Sequence, residues 1–298
     1  MTNIRHGYQQ IMNSTFLGIK NYLKKSILNI TLVIIKAETK IFGKSIGLKL
    51  NSFLSEHLPP IIEIMTEFGS INFYCPGLLP LNRANSLLTK EPDTIKWIDS
   101  FEKGAVFWDI GANVGVFSLY AALRNNNNVL AFEPSANNYW ILNKNIDINK
   151  LDDKVMAFCL AFNNNSCMDY FHLHNTNAGA ALHSFGVSVD GKGNLFVAKF
   201  KQGMLAMTID DFIINFKPPF PNYMKIDVDG LEDKIIYGSR NTLMNSDLKS
   251  LCIELNPSRK SYCQEIINFL KQCGMKLITD MHYGSPGHDV INCIFIRE

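Results

Sequence analysis

The chain has 298 residues, enough for one large domain or a domain with an appendage. Hydrophobic residues at 47% against 19% charged residues exclude a disordered chain. The formal net charge of +2, with no Lys/Arg stripe, gives no electrostatic footprint for nucleic acid, so no nucleic-acid partner is expected.

Residues 1–70 read as an N-terminal helical extension, with Lys20, Lys24, Lys25 and Lys36 among apolar residues and Pro59-Pro60 ending or interrupting the pattern. Such an extension suits a cap, a homo-oligomer contact or a membrane-surface helix. Its longest apolar run, Ile30 to Ile35, is far short of the roughly 20 residues of a membrane span, so no transmembrane segment and no signal peptide are expected. The seven cysteines form no C-x-x-C pair and are odd in number. That argues against a disulfide framework or a zinc site and for a reducing, cytoplasmic setting. Cys159 and Cys252, inside apolar runs, read as small core residues.

Residues 71–298 show a different rhythm. Strands are predicted over 106–110, 128–132, 155–160, 223–228, 251–255, 275–279 and 290–296. Helices fall between them, over 115–123, 135–149, from 231, and over 261–272. This alternation predicts an α/β fold, a mostly parallel doubly wound sheet, with ligands at the carboxyl ends of its strands. Residues 163–208 break the rhythm with short alternating runs and glycines. They predict a β-hairpin insertion that shapes a substrate pocket.

Asp109-Ile-Gly111-Ala-Asn113-Val-Gly115 lies between the first of these strands and its helix. Gly111 permits a tight turn, and Gly115 permits close helix packing or close cofactor approach. Asp109 could accept from a charged amino group while the helix N-terminus receives a carboxylate, which suits a cofactor with an amino-acid tail. A dinucleotide loop would carry G-x-G-x-x-G, but Asn113 and Val116 occupy its second and third glycine positions. A nicotinamide-dependent nucleotide-sugar oxidoreductase and a non-catalytic cofactor-binding scaffold stay as alternatives. Glu133, at the second strand tip about 20 residues beyond the loop, is placed to hold ribose hydroxyls. Asn163, near the end of the third strand, is the candidate at the adenine edge.

Lys225-Ile-Asp227-Val-Asp229-Gly-Leu-Glu232 caps the fourth strand. Lys225, Asp227 and Asp229 would share one face, which is costly on a central strand unless they serve a site. Asp229 and Glu232 also fit a helix capping box. The two aspartates could hold Mg²⁺ with waters, but no third ligand is identifiable, so no metal is assigned. In the insertion, His172 and His174 lack a recognisable third ligand, and His183 is the candidate pocket residue or base.

Together with Lys90-Glu-Pro92-x-Thr94-x-x-Trp97, Phe132-Glu-Pro134 and Leu142-x-x-Asn145, these motifs resemble the FkbM family of methyltransferases over residues 72–257. The resemblance implies a seven-stranded Rossmann-like class I fold with its last strand antiparallel. It also implies S-adenosyl-L-methionine as cofactor and O-methylation of a sugar, a glycan precursor or another natural-product hydroxyl. By motif, Asp109, Gly111, Asn113 and Glu133 carry over to the cofactor, and Lys225, Asp227 and Glu232 to the signature after the fourth strand. Methyl transfer needs alignment and removal of a proton from the acceptor, for which Asp227, Lys225 and His183 are the catalytic candidates.

Overall fold

The computed structural model describes residues 43–281 and 290–298, together with 30, 33, 37, 40 and 41. The chain divides into two compact units, 1–59 and 60–298. In the first, helix α1 (Lys44–His57) is followed by Pro59-Pro60. The other residues on which the expected oligomer contact rests lie largely outside the described ones. Among the described residues, no helix is long and apolar enough to cross a membrane.

The second unit opens with an antiparallel hairpin, β1 (Ile61–Thr66) and β2 (Gly69–Tyr74). Helix was expected through residue 70, so the helical reading fails over 61–70. Ile62, Ile64 and Thr66 alternate with more exposed neighbours, a strand period hidden at the end of a helical pattern. The side chains of Asn145 and Asn149 accept the Tyr74 and Asn72 amides and so seat β2.

Helices α2 (Leu78–Asn85) and α3 (Pro92–Asp99) lead into strand β3 (Val106–Ile110) and helix α4 (Val116–Leu123). Then follow β4 (Asn128–Phe132), α5 (Ala136–Ile148), β5 (Val155–Phe158) and β6 (Ala161–Phe162). The insertion contributes β7 (Cys167–Leu173), β8 (Ser184–Phe185) and β9 (Phe200–Met207), before α6 (Ile209–Phe216). The chain closes with β10 (Tyr223–Ile226), α7 (Glu232–Tyr237), α8 (Arg240–Met244), β11 (Ser250–Leu255), α9 (Lys260–Gln272), β12 (Met275–Met281) and β13 (Ile291–Arg297).

Seven strands form one sheet in the order β12-β13-β11-β10-β3-β4-β5. The pairs from β11 through β5 are parallel, and β13 runs antiparallel to both β11 and β12. This is the expected class I architecture with an antiparallel last strand. Phe107 and Trp108, adjacent on β3, enter different hydrophobic clusters. The first cluster takes Ile95, Ile98 and Leu119 from α3 and α4, the second Ile235, Ile266 and Leu270 from α7 and α9. The sheet is thus covered on both faces, which is why its strands read as continuous apolar runs.

The insertion forms a four-stranded sheet, β6-β9-β7-β8, with β7 antiparallel to β8 and β9. Its anchor β6 follows directly from the end of β5. Cys252 is buried as expected, whereas Cys159 is exposed, because β5 is the last strand of the main sheet and the chain leaves it at Phe158.

Candidate active site

The tips of β3, β4 and β10 are drawn together by backbone bonds. Gly111 and Ala112 donate to the Phe132 carbonyl at 2.9 and 3.1 Å, and Asp227 donates to the Ile110 carbonyl at 3.0 Å. Gly111 has φ 89, and a Cβ there would overlap the Asp227 carbonyl oxygen. Only glycine lets the first loop and the Lys225–Glu232 signature meet.

Asn113 is held at φ 52. Its N–H donates to Glu133 Oε2 at 2.8 Å and its Nδ2 to the Ala180 carbonyl at 2.9 Å, while its buried Oδ1 has no partner among the described residues. The buried Glu133 also accepts the Ser135 amide at 2.8 Å. Burial outweighs these bonds and pushes its carboxyl up to about 7. A carboxylate offers about four acceptor positions, so Glu133 keeps acceptor capacity for a ligand.

Glu133 and Asn113 line a cavity of about 610 Å³, with Leu160, Ala161 and Phe162 among its apolar walls. Residues 179–183 of the insertion strap across it. Asn138 accepts the Gly179 amide at 2.7 Å and donates to the Ala180 carbonyl at 3.0 Å. Arg83 donates to the Gly179 carbonyl at 2.6 Å, and Asp229 accepts the Leu182 amide at 2.6 Å.

Beyond Gly111 and Asn113 a second recess, about 440 Å³, is lined by Arg83, Lys90, Glu91, Lys225 and Asp227. It mixes cations with carboxylates, as an amino-acid tail requires. Lys225 is fully buried, 2.5 Å from Asp227 and over the Phe117 ring. Burial presses the Lys225 amine down, but Asp227 and Glu91 raise it well above its usual range. Burial presses Asp227 up, but Lys225 and Lys90 hold it below the usual carboxylate range. The oxygens of Glu91, Asp227 and Glu254 lie within 4.8 Å of one another. The carboxylates that converge are therefore not the D-x-D pair, and Lys225 already places a positive charge among them.

A third cavity, about 840 Å³, opens beside β11 and is lined by Asp190, Glu232, Glu254, Asn256, Arg259 and Tyr262. Asp229 lines both this cavity and the one above Glu133. Burial and the nearby Asp227 push its carboxyl up to about 6. Asp229 sits at φ 59 and does not cap α7, whose N-cap is Leu231. Glu232 accepts the Gly230 amide at 2.8 Å and the Tyr262 hydroxyl at 2.7 Å instead, so the capping-box reading does not hold.

Four expected roles change. Asp109 is buried and lines none of the three cavities; it accepts the Ser118 hydroxyl at 2.5 Å and supports the loop from beneath. Of the two roles open to Gly115, the structure takes packing, since a Cβ there would collide with Leu142 and Leu119, and Gly115 lines no cavity. Asn163 also stays out of the cavity, donating its amide to the Met207 carbonyl and its Nδ2 to Asn165, because the chain has already turned into the insertion. His183 does line the cavity, but not as a base: its Nδ1 accepts the His174 amide at 3.2 Å, so Nε2 carries the proton. Burial, with His174 and Arg83 nearby, pushes this imidazole down to about 4.

Sequence reasoning missed Arg83, Asn138, Arg259 and Tyr262. Asn138 had a faint signal, five residues after Glu133 on the helix that follows it.

S-adenosylmethionine fits these residues: a buried carboxyl with spare acceptor capacity, an unpartnered Asn113 oxygen, an apolar wall and a mixed-charge recess adjoin one another. The chain is similar in structure to the precorrin-6y C5,15-methyltransferase of Geobacter metallireducens GS-15, at 13% identity and a TM-score of 0.43, covering 72% of this chain and 92% of that one. It is similar to the METTL16 MTase domain at 14% identity and a TM-score of 0.45, covering 70% and 68%. It is also similar to M. capricolum TrmK, solved with S-adenosyl-homocysteine, at 11% identity and a TM-score of 0.41, covering 69% and 68%. A comparison with curated proteins finds no match. Residues 109–277, more than half of the chain, match the methyltransferase FkbM domain, so the chain belongs to that family and is an S-adenosylmethionine-dependent methyltransferase.

Proposed function

We propose that the protein is an O-methyltransferase acting on a hydroxyl of a sugar, a glycan precursor or another small natural product. The observation that carries this reading is the position of Asp229 on the wall common to two cavities. One of them we assign to the cofactor's adenosyl half through Glu133, with its amino-acid tail in the recess of Arg83, Lys90, Lys225 and Asp227. The other, beside β11, we assign to the acceptor.

When bound, S-adenosylmethionine supplies an electrophilic methyl group on a sulfonium. The chain must align the acceptor and take its proton. Asp229, with its carboxyl at about 6, is ionised at neutral pH and is the base we favour. Asp227, paired with Lys225, is a poorer base and serves with Lys225 as a fixed pair of charges beside the recess. Asp190, Glu254 and Asn256 line the proposed acceptor cavity together with Lys192 and Arg259, a mixture of acceptors and donors that suits sugar hydroxyls. Buried cysteines such as Cys75, Cys252 and Cys263 suit a reducing cytoplasm.

The test uses the full chain with methyl-labelled S-adenosylmethionine and separate pools of glycans, polyhydroxylated small molecules, and RNA. Label is expected in an ether linkage in one of the first two pools. Label entering only RNA, or only nitrogen, would overturn the assignment.

A further inference from the structure

Two residues that line the Glu133 cavity each carry a buried polar atom without a partner among the described residues: Asn113 Oδ1 and His183 Nε2. Asn113 belongs to the glycine loop, where a ligand contact is expected. His183 belongs to the insertion.

The state of the His183 ring follows from one bond. A backbone N–H can only donate, so Nδ1, which receives the His174 amide, is unprotonated. The neutral ring therefore carries its proton on Nε2. The ring is itself buried, with Phe171 edge-on at 5.8 Å. Its surroundings disfavour a second proton, so the ring stays neutral at physiological pH. Nε2–H is then an unpartnered donor of fixed direction on a residue that lines the cavity. It cannot abstract a proton or bind a metal at that nitrogen while protonated. Left alone, a buried donor of this kind is unfavourable. A ligand with an acceptor atom would relieve that.

His183 lines the Glu133 cavity and neither the acceptor cavity nor the charged recess. We infer that His183, through Nε2–H, donates a hydrogen bond to a purine nitrogen or ribose oxygen of the cofactor's adenosyl half, so that the insertion itself contributes to cofactor binding. This rests on the assignment of that cavity to the adenosyl half. The strap has a reason to close over the cofactor: Ala180 is bonded to Asn113 and Asn138, Leu182 to Asp229, and His183 follows directly on Leu182.

The test uses the full chain and two probes, S-adenosylhomocysteine and 5′-methylthioadenosine, which lacks the amino-acid tail. Calorimetric titration of His183→Phe should show both probes weakened by about tenfold or more. His183→Gln, whose amide nitrogen can stand near the lost Nε2, should recover most of that affinity. Nitrogen-15 spectra of the unmodified protein should show a protonated Nε2, with its proton moving downfield when either probe binds. Unchanged affinity in a folded His183→Phe, weakening confined to S-adenosylhomocysteine, or an unprotonated Nε2 would each overturn the inference. Should His183→Phe fail to fold, the nitrogen-15 spectra and His183→Gln decide: a Gln variant that binds tenfold more weakly refutes the donor. Loss of both probes in Glu133→Gln with neither affected in His183→Phe would leave the cavity assignment standing and this inference refuted. Failure of the unmodified chain to bind either probe would instead bring down the cavity assignment itself.

Discussion

Replacing Glu133 by Gln separates charge from shape at the centre of the proposed cofactor site. The carboxyl titrates near 4.5 when unfolded and at about 7 in the folded chain, chiefly through burial. Between these values the folded protein holds a proton that the unfolded chain has released. The contribution of Glu133 to stability is therefore full below about pH 4.5 and is lost as pH rises to about 7. The difference amounts to about 3 kcal/mol. Gln removes that burden above pH 7. It also turns an NH₂ group towards one of the two amides, Asn113 or Ser135, that the carboxylate accepted at 2.8 Å. An unsatisfied buried N–H is unfavourable by about 1–3 kcal/mol. The two effects nearly cancel at pH 8, so the ligand-free variant should melt within a few degrees of the unmodified protein. Binding should not cancel. Ribose hydroxyls need acceptors, and Gln has one oxygen already used by an amide. Affinity for S-adenosylhomocysteine should fall at least tenfold at pH 8, about 1.4 kcal/mol. In the unmodified protein, affinity should rise from pH 6 through pH 8 and level above it, because ribose favours the ionised form. The Gln variant should lose the Glu133 part of this rise. Calorimetric titrations at pH 6, 7 and 8 read both. Equal affinity and the same pH profile in the two proteins would refute the ribose assignment.

The remaining predictions test neighbouring parts of the site. Gly111→Ala should lower stability by at least about 2 kcal/mol in urea unfolding and weaken S-adenosylhomocysteine more than tenfold, since its methyl meets the Asp227 carbonyl at a positive φ. Unfolding indistinguishable from the parent would discount that contact. Lys225→Met strands Asp227, Glu91 and Glu254 without their buried cation. The loss should be about 3–5 kcal/mol at pH 8 and smaller at pH 5, where carboxylates can take up protons; a loss equal at both pH values would contradict the charge argument. Lys90→Met should weaken S-adenosylhomocysteine several-fold and leave 5′-methylthioadenosine unchanged, and equal weakening of both would move the amino-acid tail elsewhere. Asp229→Asn should slow methyl transfer to an identified acceptor by about 10²-fold or more. Turnover at the parent rate would remove Asp229 as the base.

The cofactor half of the molecule was legible because its information is local. β3, β4 and β10 are buried on both faces and read as apolar runs. The Asp109–Gly115 loop and Glu133 stand at fixed distances from those runs. Roles depending on distant partners were not legible. The protonated nitrogen of His183 is set by the amide of His174, nine residues away, across a turn no pattern specifies. Asp109 and Gly115 were found by motif, but whether a motif residue faces the ligand or the helix beneath depends on packing against Ser118 and Leu142. Asn163 followed from a third strand carried through Leu160. The strand stops at Phe158, and the residues that line the cavity from this segment are Leu160–Phe162. Ile61–Thr66 was submerged in the helical pattern before it, where six residues are too few for a period of two to stand out.

Asp229 links the two halves. Its carboxylate accepts the Leu182 amide, and Leu182 is a non-glycine residue at φ 63 with its side chain half exposed. Such a conformation is unfavourable by roughly 1–2 kcal/mol. A hydrogen bond to a charged group contributes about 1.5–3 kcal/mol, enough to offset it. The strap therefore keeps this shape because Asp229 receives it, and the bond in turn restrains the Asp229 carboxylate between the two cavities. Farther along the insertion, Asp190 and Gly191 press on Gly230, where a Cβ would come within 2.9 Å of the Gly191 Cα. One inserted segment thus roofs the cavity above Glu133, fixes the proposed base and walls the cavity proposed for the acceptor. On the proposed reading, a change in the insertion that suited a new acceptor would have to preserve the Leu182 bond, or Asp229 would lose its orientation together with the roof over the Glu133 cavity.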